Sequence, residues 1–224
     1  MLAPQHIADN IARVRARLGE LSSNHVALIA VTKTWPREAM ELASNAGVDG
    51  LGENYAKELV GKVAPGRQDL APIHFIGGLQ SNKIKSLVPH VDVWQSIDRS
   101  SLVREVGRRH REWIEGGGTS GPPRVLLQVN TTGETNKAGC APSELESVRA
   151  VAEAERCEVL GLMTVGPTDG DPHVTERAFR TLRALVDRHD LAVCSMGMTG
   201  DFELAVTLGS TMVRIGSAIF GARQ

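Results

Sequence analysis

A lysine placed just after a buried strand can do chemistry that a lysine in water cannot. Residues 26–36 read VALIAVTKTWP: an apolar run, then Thr32, Lys33 and Thr34, then the break at Trp35-Pro36. That is the pattern of a buried parallel strand ending in a lysine. At the carboxyl end of the first strand of an α/β barrel, the side chain points into the mouth where such folds place their chemistry. Apolar walls disfavour the ammonium form and make a neutral amine accessible. Only the neutral amine attacks an aldehyde, so Lys33 is the candidate imine-forming residue. The ordinary alternative is a solvated surface lysine, because lysines are almost never buried.

Two later segments shift that balance. Residues 195–200 read SMGMTG and residues 214–217 read RIGS, each directly after an apolar run. In barrels, the loops after the seventh and eighth strands commonly build a phosphate site. Glycine lets the backbone approach an anion, hydroxyls donate to its oxygens, and a helix starting near Thr199 directs free N–H groups outward. Hydrogen bonds to charged groups contribute about 1.5–3 kcal/mol each and a helix terminus about 0.3–1, so the donors decide the affinity. Each segment alone reads equally as a strand-to-helix turn with Thr199 as the helix cap. Together with Lys33 they point to a phosphorylated aldehyde as ligand. Two further polar residues lie at strand ends. Asn54, at a strand-to-helix corner, reads as a helix cap ahead of a ligand contact. His74, between Ile73 and Phe75, reads first as a neutral core histidine with a satisfied ring.

The elements that must position these residues follow one rhythm. An amphipathic helix over residues 3–21 carries Ile7, Ile11, Val14 and Leu18 at helical spacing, with arginines on its solvated face. Short apolar runs follow at 26–31, 48–52, 73–76, 91–97, 125–129, 159–164, 192–195 and 212–215, most separated from the next by a helical pattern. Strands alternating with helices are the sequence form of a (β/α)₈ barrel. The glycine-rich tract at 116–123 falls between a helix and a strand, on the face opposite the candidate site, where length variation is tolerated. The polar loop at 130–137 falls on the active face as a candidate lid. A full eighth helix does not fit unless 219–223 begins one, so the N-terminal helix is expected to cover that part of the wall.

Composition narrows the function classes. The chain has 224 residues, 25 basic and 26 acidic, for a net charge of −1. That length fits one barrel domain spanning 1–224, and the charge balance provides no uniform field for nucleic acid or anionic lipid. Cys140, Cys157 and Cys194 are odd in number and lack metal-ligand spacing, so neither a disulfide framework nor a zinc site is expected. No apolar stretch has the length of a signal peptide core or a membrane span, so the chain is expected to be cytoplasmic.

Six segments, AVTKTWP, GENYAKEL, IHFIGGLQSNKIKSL, GLMTVG, SMGMTGDFELA and STMVRIGSAIFGAR, resemble in order and over nearly the whole chain the pyridoxal phosphate homeostasis protein family. These proteins are single-domain relatives of the alanine racemase N-terminal barrel, the type III fold of pyridoxal phosphate proteins. The resemblance implies that Lys33 bears pyridoxal 5′-phosphate as an imine and that Ser195, Thr199, Gly216 and Ser217 lie around the phosphate. It places Arg214 at the pyridine nitrogen and Asn54 and His74 near the ring. Gly78 stands where the family usually has histidine, and Thr199 where it usually has serine. A guanidinium at the ring nitrogen donates a hydrogen bond without giving up its proton, which leaves a poor electron sink. The two-domain relatives take a second base from a tyrosine in an added β-domain that this chain lacks, so the reading favoured here is a protein that holds the cofactor and hands it over, with apo-enzymes that require it as recipients. A weak racemase with His74 or a water as second base is the alternative, and a sugar-phosphate aldolase using Lys33 directly would leave Arg214 without a ring to contact. A monomer is expected.

Overall fold

The computed structural model describes residues 4–67 and 69–221. Eight short parallel strands close into a barrel: β1 (Ala27–Val31), β2 (Gly50–Glu53), β3 (Ile73–Phe75), β4 (Val93–Ile97), β5 (Arg124–Gln128), β6 (Glu158–Met163), β7 (Val193–Ser195) and β8 (Met212–Ile215). Each pairs with the next, and β8 returns to β1 with Leu28 opposite Val213 and Ile29 opposite Arg214. The covering helices are α1 (Pro4–Leu21), α2 (Arg37–Asn45), α3 (Ala56–Lys62), α4 (Ser81–Leu87), α5 (Ser100–Glu115), α6 (Leu145–Ala154), α7 (Pro172–Arg188), α8 (Phe202–Thr207) and α9 (Ser217–Phe220). The fold class expected from the sequence is the one observed.

Two apolar layers hold it together. Outward strand residues Leu28, Leu51, Ile73, Phe75, Leu127 and Leu162 are buried against helix residues such as Met40, Leu59, Ile84, Phe179 and Leu182. Burying a side chain of this size contributes about 1.5–3 kcal/mol, so this shell dominates stability. Inward residues Ile29, Val93, Leu126, Met163 and Met212 plug the lower barrel. Two residues further along β4, β5, β7 and β8, the inward positions become polar: Gln95, Gln128, Ser195 and Arg214, all buried. Since side chains alternate along a strand, this change of chemistry is confined to the carboxyl end of the barrel and marks it as the working face.

Helix α1 does cover the wall left by the short last helix. It packs on α2, α8 and α9; Asn10 Nδ2 donates to the carbonyl of Ile219 at 2.7 Å, and Arg17 pairs with Glu203 on α8 at 2.7 Å. Ala3 and the pair Ala222-Arg223 lie outside the described residues. Strand β2 begins two residues later than expected, because Asp49 is turned into a bracket: its carboxylate accepts from the Leu28 N–H at 2.7 Å and from Arg15 at 2.6 Å. No helix among the described residues is long and apolar enough to cross a membrane.

Candidate functional site

The floor of the mouth is a continuous polar chain. Arg214 Nη1 donates to Ser195 Oγ at 2.6 Å and Nη2 to the Thr164 carbonyl at 2.7 Å. Ser195 Oγ in turn donates to Gln95 Oε1 at 2.8 Å, and Gln95 Nε2 reaches His74 Nδ1 at 2.7 Å. The second contact of Gln95 Nε2, with Met212 Sδ at 3.3 Å, fixes which end of the amide faces His74. An amide N–H toward Nδ1 requires that nitrogen to accept, so the proton sits on Nε2. The His74 ring fits because it lies against Gly50 on β2, where a Cβ would fall 2.7 Å from it. Burial lowers the His74 pKa to about 4. The neutral, satisfied core histidine expected from position is what the fold contains.

Arg214 is the unusual member. It is 4% exposed, and among the described residues no carboxylate lies within ion-pair distance. Burial lowers its pKa to about 10, with the charge of Asp201 opposing the shift, so it remains protonated at neutral pH. A buried cation without a counter-charge is costly unless another group completes it.

Lys33 is half-buried, two residues past the end of β1, in a turn rather than in the strand itself. Ile29 points inward, and counting by twos through Val31 brings Lys33 to the mouth side. Thr34, next to it, has φ +68°, a left-handed conformation rare for a β-branched residue. Gly216 lies against the end of the same strand: a Cβ there would stand 3.5 Å from Val31 Cβ. The β8–α9 loop and the Lys33 turn are therefore neighbours.

The two glycine loops also join each other, through the Arg214 N–H to Gly197 carbonyl bond of 3.0 Å. Gly197 has φ +98°, and a Cβ would fall 2.6 Å from Ala205 Cβ, so glycine is required for the tight passage over α8. The helix expected near Thr199 begins only at Phe202, and Asp201 turns back so that its carboxylate accepts from the Met198 N–H at 2.6 Å. Thr199 is thus a half-buried loop residue and not a cap. Ser217 is exposed at the rim. Ser195 lies a level lower than the loops; its hydroxyl proton goes to Gln95 and its oxygen accepts from Arg214, so it holds the guanidinium.

Asn54 does not cap a helix. Tyr55 occupies the cap position of α3, and Asn54 Oδ1 is buried with no hydrogen-bond partner. The backbone of Asn54 is pinned by Gly77, where a Cβ would stand 2.1 Å from its carbonyl oxygen. The 130–137 loop is latched on the same face: Lys137 pairs with Glu134 at 2.7 Å and donates to the Gly166 carbonyl, while the Thr168 N–H reaches Glu134 at 3.3 Å. Cys140, Cys157 and Cys194 are buried free thiols, and among the described residues no cluster of potential metal ligands occurs.

Comparison with known proteins adds the lineage. Residues 2–224 match the alanine racemase N-terminal domain family. The pyridoxal phosphate homeostasis protein of Pseudomonas aeruginosa is 37% identical, with 97% of this chain and 96% of that protein aligned. The chain belongs to the pyridoxal phosphate homeostasis protein family. Among solved structures, an unknown protein from Bifidobacterium adolescentis is 33% identical with a TM-score of 0.85, covering 97% of this chain and 95% of that one. PipY of Synechococcus elongatus PCC7942 with PLP bound is 30% identical with a TM-score of 0.79, covering 96% and 100% respectively.

For this family member, the fold brings Lys33, Arg214, Gly216 and Ser217 to adjoining strands β1 and β8, and carries Ser195 and Thr199 on neighbouring β7 and its loop. Asn54 and His74 come from β2 and β3 on the other side of β1. Sequence reasoning missed Gln95 and Thr164, which orient the floor. Gln95 was readable as a polar residue at an inward position of the buried run VWQSI, whereas the Thr164 contribution is a carbonyl that no side-chain pattern reports.

Proposed function

We propose that this chain binds pyridoxal 5′-phosphate, anchors it at Lys33 and hands it to enzymes that lack it, as a cytoplasmic, monomeric cofactor store in which residues 1–224 act as one binding domain. The observation that carries this reading is Arg214: a buried guanidinium, braced by Ser195 and Thr164, with no carboxylate within ion-pair distance among the described residues. The residues present fit the cofactor. Asn54 Oδ1 is a buried acceptor without a hydrogen-bond partner, and the two glycine loops carry the Thr199 and Ser217 hydroxyls. When bound, pyridoxal phosphate supplies an aldehyde that condenses with an amine.

The chain's own residues divide the work. Lys33 would provide the amine, backbone N–H groups and hydroxyls of the two glycine loops would hold the phosphate, and Arg214 would donate toward the ring nitrogen. Because Arg214 keeps its proton at neutral pH, it leaves that nitrogen a hydrogen-bond acceptor and weakens the ring as an electron sink. His74 has its Nδ1 occupied by Gln95 and a pKa of about 4, so it is a poor base at neutral pH and does not serve as the second base of a racemase. Both features support storage over turnover. Mixing the protein with pyridoxal phosphate and reducing with borohydride tests this: a pyridoxyl group on Lys33, lost in Lys33→Ala, is expected. Solvent deuterium entering the α-carbon of an added amino acid with turnover would refute storage without catalysis.

A further inference from the structure

The Lys33 turn is gripped from outside the barrel by three charged residues at the end of β2 and on α3. Lys62 Nζ donates to the Thr32 carbonyl at 3.0 Å and to Glu53 Oε1 at 3.0 Å, and it pairs with Glu58. An ammonium has three protons, so these contacts use Lys62 fully. Thr32 Oγ1 adds a 2.7 Å bond to the same Glu53 oxygen, and the Thr34 N–H donates to Glu58 Oε1 at 2.5 Å. Both neighbours of Lys33 are therefore tied to one cluster, including Thr34 in its left-handed conformation.

This arrangement is poorly explained by stability alone. Glu53 is fully buried, and its Oε2 has no partner. A half-satisfied buried carboxylate is a worse choice for packing than an apolar residue. A left-handed β-branched residue is likewise a strained choice, of the kind that persists where surrounding contacts over-determine a functional segment. What the cluster does achieve is a single backbone path through residue 33.

We propose that Glu53, Glu58 and Lys62 are positioning residues that fix the backbone on both sides of Lys33 and so set how fast its amine bonds to an aldehyde carbon in the mouth. This rests on Lys33 being the point of attachment. In the step they govern, the amine nitrogen bonds to the aldehyde carbon, and the aldehyde oxygen leaves as water with the two amine protons. Misplacing a reacting group by about 1 Å can cost on the order of a hundredfold in rate.

The test compares pyridoxal phosphate with pyridoxine 5′-phosphate, which carries an alcohol in place of the aldehyde and cannot bond to an amine. Glu58→Ala and Lys62→Met are expected to slow the visible absorbance change on mixing with pyridoxal phosphate by about ten- to a hundredfold. Their affinity for pyridoxine phosphate is expected to stay within about twofold of native. Glu58→Gln keeps an acceptor for the Thr34 N–H and should recover most of the rate. In unliganded protein, methylation of Lys33 by formaldehyde and borohydride, counted by mass spectrometry, should slow in the Ala and Met variants. Unchanged rates in those variants, or equal loss with both ligands, overturn the positioning role. If native protein gives no absorbance change, the assignment of Lys33 falls and the positioning role falls with it; a native change that the variants match overturns the positioning role alone.

Discussion

Replacing His74 by glutamine tests the floor of the barrel through the pH dependence of stability. Burial holds the native imidazole pKa at about 4, against 6.5 for an exposed histidine. Below the unfolded value, the unfolded chain takes up a proton that the native state refuses, so stability present above pH 6.5 is lost as pH falls toward about 4. The linkage relation gives a loss of about 2 kcal/mol between about pH 7.5 and about pH 5, approaching about 3 kcal/mol once both states are protonated. His74→Gln removes this titration while leaving an amide that can accept from Gln95. Urea unfolding followed by circular dichroism at several pH values measures both proteins. The native advantage over the variant should shrink by about 2 kcal/mol across that interval. A constant difference would mean that His74 takes up its proton in place, contradicting a neutral ring locked to Gln95.

Other substitutions separate binding from folding. Arg214→Met removes a buried cation, so the stability of the unliganded protein should change little or rise, while affinity for pyridoxal phosphate falls about 10- to 100-fold by titration. Gly197→Ala places a Cβ 2.6 Å from Ala205 at a positive φ, and should cost about 1–3 kcal/mol in denaturant unfolding together with a weaker phosphate-dependent affinity. Lys33→Ala should leave the melting temperature nearly unchanged, because the residue lies in a turn at the mouth, yet abolish the borohydride-fixed adduct by mass spectrometry. Phe179→Ala, in the fully buried outer shell, should destabilise by about 3–5 kcal/mol without a specific effect on the spectrum of bound cofactor.

The barrel was readable because most of its strands are short, largely apolar runs while its helices are apolar on one face only, so periodicity separates the two. Element ends were less so, since a side chain such as Asp49 or Asp201 can take a backbone N–H and delay a strand or helix by a few residues. In the site, Lys33, Gly197 and Gly216 announced themselves by residue type at a strand end. Asn54 and Ser195 did not disclose their partners, because capping and ligand contact use the same short polar side chains. The Glu53–Glu58–Lys62 cluster was hidden for another reason: its members lie 20 or more positions from Thr32 in the chain, and only the parallel pairing of β1 with β2 brings them under the Lys33 turn.

A crystal of this protein soaked in pyridoxal 5′-phosphate tests the central claim most directly. The expected density is continuous from Lys33 Nζ to the cofactor's aldehyde carbon, with the phosphate between the Thr199 and Gly216-Ser217 loops and the ring nitrogen on Arg214. Density that sits in those loops but ends well short of Lys33, or that bonds to another lysine, would contradict it.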